Sequence, residues 1–103
     1  MSSPTQRSLE VMRERGYTVA VTEKWNPHAR VRQDLYGFID VLAIRDGEIV
    51  GVQATSDNNL AARITKITAH EHVGVVRKAG IRILAHGWKK VRGRWRLREI
   101  DCS

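Results

Sequence analysis

The side chains in this sequence that are best placed to do chemistry are Asp40 and Gln53, each set within a run of apolar residues. Between them lies Asp46-Gly47, the strongest short-range signal for the turn of a β-hairpin. If that turn forms, Arg45 pairs with Glu48, and Asp40 then lies opposite Gln53 further along the strands. Directly opposed residues hold their Cβ atoms about 4.5–5.5 Å apart on one face of a sheet. The spacing therefore predicts a carboxylate and an amide side by side on an apolar surface.

A carboxylate at position 40 needs a compensating partner, because an unpaired buried charge is costly. A divalent cation is one such partner, since carboxylate, amide and carbonyl oxygens are the hard ligands that Mg²⁺ accepts. Thr55 lies on the same predicted face as Asp40 and Gln53, two residues further along the second strand. Two alternatives stay open: a salt bridge from Asp40 to an arginine, or a position at a strand end near solvent.

The elements that must position these residues form one predicted domain, residues 1–103, in the order α-β-β-β-α-β-β. Ser3-Pro4-Thr5-Gln6 begins a helix that ends near Arg15, before Gly16. Strands are predicted over 17–23, 38–45, 48–55, 81–91 and 94–100, with one long helix over 60–78 and a polar loop over 25–33. This order is typical of an α/β or α+β fold, a mixed sheet with flanking helices.

The net charge favours a polyanionic partner, because the chain carries a formal charge of +7 in only 103 residues. Six basic residues fall in one short stretch that also contains Trp88 and Trp95: Lys89, Lys90, Arg92, Arg94, Arg96 and Arg98. Basic side chains neutralise phosphates, and aromatic faces can stack on bases. Further candidates for phosphate contacts are Arg30, Arg32 and Arg63. The alternative is a basic surface with no such role and tryptophans that belong to the core.

The single cysteine, Cys102, excludes an internal disulfide and a cysteine-based zinc site, and it fits a reduced, cytoplasmic setting. No apolar run is long enough to span a membrane, and residues 1–6 lack the apolar core of a signal peptide. His70 and His72 are two residues apart on the predicted helix. We expect them to point to different faces and not to share a metal ion.

At the predicted hairpin the sequence resembles the PD-(D/E)XK nuclease superfamily, particularly archaeal Holliday-junction resolvases and small virus-type replication-repair nucleases. The similar residues are Gly37 to Ile44 and Ile49 to Thr55, separated by a short turn and followed by a helix. The resemblance implies a restriction-endonuclease-like fold and hydrolysis of DNA with Mg²⁺ or Mn²⁺ as cofactor, in a phage or a prokaryote. In order of elements it extends from Leu9 to about Leu84.

The superfamily holds its metal with an Asp of the first strand and an acidic residue of the second, and a lysine two positions later helps to activate water. Asp40 takes the first position, but Gln53 and Thr55 stand where an acid and a lysine are usual. A Gln oxygen can still ligate, with weaker metal binding expected. Lys66, on the following helix, lies where some members carry the lysine; its alternative is a solvated helix residue.

A third carboxylate is expected from Glu23 or Asp34, at the end of the first strand and just before the motif strand. The superfamily often draws this carboxylate from the first helix. Here Glu10 and Glu14 fall on the side of that helix away from its apolar residues, so both are expected to be exposed.

Three functions compete at this point. The first is a metal-dependent nuclease acting on DNA, including branched or recombination and repair intermediates. The second is a nucleic-acid-binding module on the same fold without catalysis, which the uncharged Gln53 and Thr55 favour. The third is a structural or assembly protein with a basic surface. Junction-cutting relatives are dimers, so a homodimer through an edge strand such as 94–100 is a further expectation.

Overall fold

In a computed structural model, which describes residues 3–103, a five-stranded mixed sheet carries helices on both faces. The elements are α1 (Pro4–Glu14), β1 (Thr18–Val21), β2 (Lys24–Asn26), β3 (Val31–Gln33), β4 (Val41–Arg45), β5 (Glu48–Ser56), a 3₁₀ turn (Asp57–Asn59), α2 (Leu60–Ala69), α3 (Val73–Lys78), β6 (Ile81–Val91) and β7 (Arg94–Asp101). The main sheet has the order β1-β4-β5-β6-β7, in which β5 and β6 are parallel and the other neighbours antiparallel. The prediction of a mixed α+β sheet with flanking helices is confirmed.

Helix α1 covers one face of the sheet. The Ser3 hydroxyl accepts a hydrogen bond from the Gln6 backbone N–H at 3.2 Å, and the chain leaves the helix through Gly16 at φ +95°, as predicted. Leu9 and Met12 are buried against β4 and β5, while Glu10 and Glu14 are exposed as expected. No helix in residues 3–103 is long and apolar enough to cross a membrane.

Helices α2 and α3 cover the opposite face, and the single helix predicted over 60–78 is wrong. The chain leaves the helix after Ala69, passes through an extended His70 and resumes helical geometry at Val73. The His70 ring lies 5.4 Å from the Phe38 ring, and a Cβ at Gly37 would come within 2.2 Å of His70 Nε2. This seating of His70 against Phe38 and Gly37 requires the break.

The segment between β1 and β4 also differs from its prediction. Residues 25–33 include the hairpin β2–β3, whose turn is closed by the Asn26 side chain accepting from the N–H groups of His28 and Ala29. The motif strand begins at Val41, not at residue 38, because Leu35 and Ile39 pair across a tight turn. These two turns bring the segment carrying Glu23 and Asp34 back to the start of β4.

A buried polar network fastens α1 to the strands β6 and β7. His86 is fully buried, with Nδ1 accepting from the Ser8 hydroxyl and Nε2 donating to Glu99, both at 2.8 Å. Ser8 in turn accepts from the Trp88 indole N–H at 2.9 Å, and Arg15 donates to Glu99 at 2.6 Å. Every member has a partner, so the network fixes the position of the helix on the sheet.

Burial lowers the pKa of His86 from its ordinary value of 6.5, and the nearby Glu99 offsets only part of that effect. The unfolded chain therefore binds a proton that the folded chain resists, and the contribution of His86 to the free energy of unfolding should fall as the pH drops below 6.5. Urea unfolding across that range measures the effect. His86→Gln stays neutral, so the stability of the wild type relative to this variant should decrease as the pH drops below 6.5. A difference that does not change with pH would contradict a neutral buried His86.

Strands β6 and β7 continue beyond the rest of the sheet. The last residue of β5, Ser56, pairs with Trp88, so the following three residues of β6 pair only with β7. We call residues 89–98 the basic arm; the sequence contains no acidic residue in this range. The arm extends from the end of the sheet at which β5 ends (Ser56) and β4 begins (Val41).

Candidate metal centre

The predicted pairing of the central hairpin is confirmed as far as Val41 and Val52, but Asp40 does not take its predicted place directly opposite Gln53. Arg45 pairs with Glu48, and the ladder continues in that register to Val41 and Val52. The next residue, Asp40, also donates its backbone N–H to the Val52 carbonyl at 2.8 Å, so two consecutive residues face one partner, as in a β-bulge. A bulge re-aims the side chain beside it.

Asp40 is 2% exposed and is held by two hydrogen bonds from β5. Its Oδ2 accepts from the Gln53 side-chain amide and from the Ala54 backbone N–H, each at 2.8 Å. No arginine forms an ion pair with Asp40 within residues 3–103, and the position is not solvent-exposed. The salt-bridge alternative is therefore wrong for the described residues, whereas the strand-end alternative holds in part: Asp40 directly precedes β4 and lines a cleft, but it is almost fully buried.

Gln53 leaves one buried group without a partner. The amide N–H₂ of Gln53 donates to Asp40, so the amide oxygen Oε1 takes no part in that hydrogen bond. Oε1 is inaccessible to solvent and accepts no hydrogen bond, which is costly for a buried acceptor. A cation at this position would satisfy it.

Three carboxylates converge at this point. Glu23, Asp34 and Asp40 each offer an oxygen, and the three oxygens lie within 4.8 Å of one another. Burial, the neighbouring Asp34 carboxyl and the charge of Glu23 raise the pKa of Asp40 to about 8, against an opposing hydrogen bond from Ala54. Like charges this close favour a retained proton unless a cation takes its place.

Basic side chains surround the acids. A cleft of about 260 Å³ is lined by Glu23, Arg32, Asp34, Asp40, Gln53, Ala54, Arg63 and Lys66. Arg63 and Lys66 lie three residues apart on α2 and so share one side of that helix. Arg32 forms a salt bridge with Glu23 at 2.5 Å. The structure thus brings seven of the sequence-predicted residues to one cleft.

Other predicted site residues lie elsewhere. Thr55 is buried and lines an adjoining cleft with Glu23 and Arg32, not the cleft that holds Asp40. Arg30 lies exposed in the turn between β2 and β3. The basic residues of the arm, Lys89, Lys90, Arg92, Arg94 and Arg96, are all exposed at the same end of the sheet.

The donor set suits a hard divalent cation. Three carboxylates, a retained proton that a cation would displace, and the orphaned Gln53 oxygen together fit Mg²⁺ or Mn²⁺. No family model, curated protein or solved structure matches the chain. The residues that would hold the ion are Asp40, Asp34, Glu23 and Gln53.

Sequence reasoning missed two features of this region. The hydrogen bond from Ala54 to Asp40 depends on the bulge, for which residues 38–41 carry no signal. The expectation that His70 and His72 point apart is wrong, because the helix breaks between them. Their ring centroids are 5.2 Å apart, and His70 Nδ1 accepts from the His72 backbone N–H at 3.1 Å.

Proposed function

We propose that this chain is a metal-dependent nuclease that hydrolyses phosphodiester bonds of DNA with Mg²⁺ or Mn²⁺ as cofactor. One observation carries the proposal: three carboxylates meet at a buried Asp40 beside a glutamine oxygen that has no partner. The resemblance of residues 37–55 to the PD-(D/E)XK superfamily supports it at the level of the motif.

The side chains of the cleft would have three roles: holding the cation, balancing charge on the phosphate and positioning the substrate. Asp40, Asp34, Glu23 and Gln53 would hold the cation, which when bound polarises a phosphate and lowers the pKa of a water molecule. Lys66 and Arg63 also line the cleft and would balance the charge that develops on the phosphate. Arg32, held by Glu23, would position the substrate backbone.

The basic arm supports nucleic acid as the substrate, because part of it shares a face with the cleft. A Cβ at Gly87 would meet Leu60 and Asp57, so this residue of β6 faces α2. Every second residue of β6 from Gly87 onward, and the residues of β7 paired with them, lie on the same face. That row is Lys89, Arg94, Arg96 and Arg98. Gly51 faces Ile39 under α2, which places Gln53 on the same face by alternation. The row and the acids therefore lie on one side of the sheet, at one end.

Cation binding and cleavage test the proposal together. The purified protein should bind Mn²⁺ in calorimetry and cleave a labelled branched or single-stranded oligonucleotide when Mn²⁺ is present. Because the proton on Asp40 competes with the cation, Mn²⁺ affinity should rise with pH and level off above about 8. Binding below that value should release protons, which calorimetry in buffers of different ionisation enthalpy measures.

Two results would contradict this. Mn²⁺ affinity that does not change between neutral pH and about 8 would mean that Asp40 is not a ligand. Mn²⁺ binding without cleavage of any oligonucleotide would leave the second candidate, a nucleic-acid-binding module. One observation favours that candidate. Thr55 stands where the superfamily usually has a lysine and lies outside the cleft, so β5 supplies no basic side chain to the acids.

A further inference from the structure

A second groove adjoins the acidic cleft and shares three of its residues. This groove, of about 410 Å³, shares Arg32, Asp34 and Lys66 with the cleft and is otherwise lined by Gln33, Tyr36, Gly37, His70, Glu71 and His72. The shared residues mean that a polymer whose phosphate lies at the acids has its next group within reach of the groove. Tyr36, Gly37, His70 and His72 line the groove but not the acidic cleft, so cation binding alone does not explain them.

Aromatic rings form one wall of the groove. The buried Phe38 ring lies 5.4 Å from His70, His70 lies 5.2 Å from His72, and His72 lies 6.2 Å from Tyr36. The series runs from the core to the surface and ends at Tyr36, which is 50% exposed. An exposed ring braced from behind by other rings offers a firm apolar face.

The backbone at Tyr36 is costly for an aromatic residue. Its φ of +54° lies in the left-handed region, where Asn, Asp and Gly are the common residues. Strained positions of this kind cluster at sites that bind ligands. Tyr36 as a residue is half exposed, so its contact with His72 leaves part of the side chain open to a ligand.

We propose that this groove binds a single unpaired nucleobase, stacked on Tyr36 with its edge toward His72, when the adjoining phosphate lies at the acidic cleft. This rests on the proposed function and adds the substrate class, a nucleic acid with an unpaired nucleotide such as a single strand or flap. Arg32 and Lys66 neutralise the phosphate that joins the two sites. A paired base has no free face for this platform.

Trp95 does not offer the same platform, although it is 44% exposed. The Arg7 guanidinium lies 3.3 Å from the centre of its ring, and the Lys90 ammonium lies 5.7 Å away. Of these two side chains, Tyr36 is thus the better stacking surface.

The test uses a single-stranded oligonucleotide containing 2-aminopurine, with Ca²⁺ in place of Mn²⁺, and follows the quenching of its fluorescence by stacking. Tyr36→Asn removes the ring but suits the left-handed backbone, and it should weaken binding by about 5- to 150-fold. Tyr36→Phe keeps the ring and should bind and quench as the wild type does. Neither variant should change Mn²⁺ affinity.

Equal quenching by the wild type and Tyr36→Asn would overturn the inference, and so would a large loss of stability in Tyr36→Asn, since the ring would then be structural. Failure of the proposed function looks different. In that case wild-type protein quenches the probe yet neither binds Mn²⁺ nor cleaves. Cleavage by the wild type without Tyr36-dependent quenching would reject the base site alone.

Discussion

Replacing Asp40 with asparagine is expected to reduce Mn²⁺-dependent cleavage by about 100-fold or more, because the variant loses the ligand at the centre of the carboxylate cluster. The metal-free variant should be at least as stable as the wild type above neutral pH. The raised pKa of Asp40, about 8 against an ordinary 3.8, means that the folded chain retains a proton that the unfolded chain releases. The contribution of Asp40 to stability should therefore fall as the pH rises between these values, so the stability of the wild type relative to Asp40→Asn should fall over the same range.

Asparagine removes that dependence, since it is neutral at every pH and its oxygen can still accept from Ala54. Cleavage assays and urea unfolding measure the two effects separately. Asp46→Asn is the matched control: it removes one exposed carboxylate from the β4–β5 turn and leaves the cluster intact. Asp40→Asn protein that cleaves as fast as the Asp46→Asn control would end the case for catalysis at this cleft.

Replacing Arg94 and Arg96 with glutamine is expected to weaken nucleic-acid binding and to make it less sensitive to salt. Both side chains are exposed on the face of the basic arm that also carries the acidic cleft. Arg94 and Arg96 are two residues apart on a strand, a distance of about 6.8 Å along it. Two nucleotide steps along one strand of B-DNA rise by about the same distance. If each arginine neutralises one phosphate, the slope of log affinity against log salt should fall by about 1.8 for duplex DNA.

Arg13 and Lys78 provide the control with the same change in net charge. Both are exposed, at the end of α1 and at the end of α3, away from the arm. Replacing these two with glutamine should leave the salt slope nearly unchanged. Equal slopes for the two double variants would show that net charge, and not the arm, determines binding.

The parts of the fold that depend on local signals could be predicted from the sequence. The Asp46-Gly47 turn fixes the register of β4 and β5, and with it the closeness of Asp40 and Gln53. Ser3 and Gly16 mark the bounds of α1 because capping depends on neighbouring residues alone. The sequence also predicts Glu23 or Asp34 as a further carboxylate beside Asp40, because they lie at the end of the first strand and just before the motif strand.

The remaining features depend on contacts between residues distant in the sequence. The break at His70 arises from packing against Gly37 and Phe38, more than thirty residues earlier, and the helical pattern of 60–78 carries no sign of it. The pKa of Asp40 likewise depends on side chains brought together by two turns. Alternation along β5 predicts Thr55 beside Asp40, but alternation does not account for the bulge, which changes the direction of the Asp40 side chain.

The extension of β6 past the end of β5 has a mechanical consequence for the protein. Beyond Trp88 the arm is a two-stranded ribbon with no third strand beside it, and such ribbons are only marginally stable and twist easily. Its outer amides should exchange with solvent well before those of the central strands. The chain thus combines a central sheet, to which the Ser8–His86 hydrogen bond fixes helix α1, with a two-stranded arm that bends more easily than the rest of the sheet.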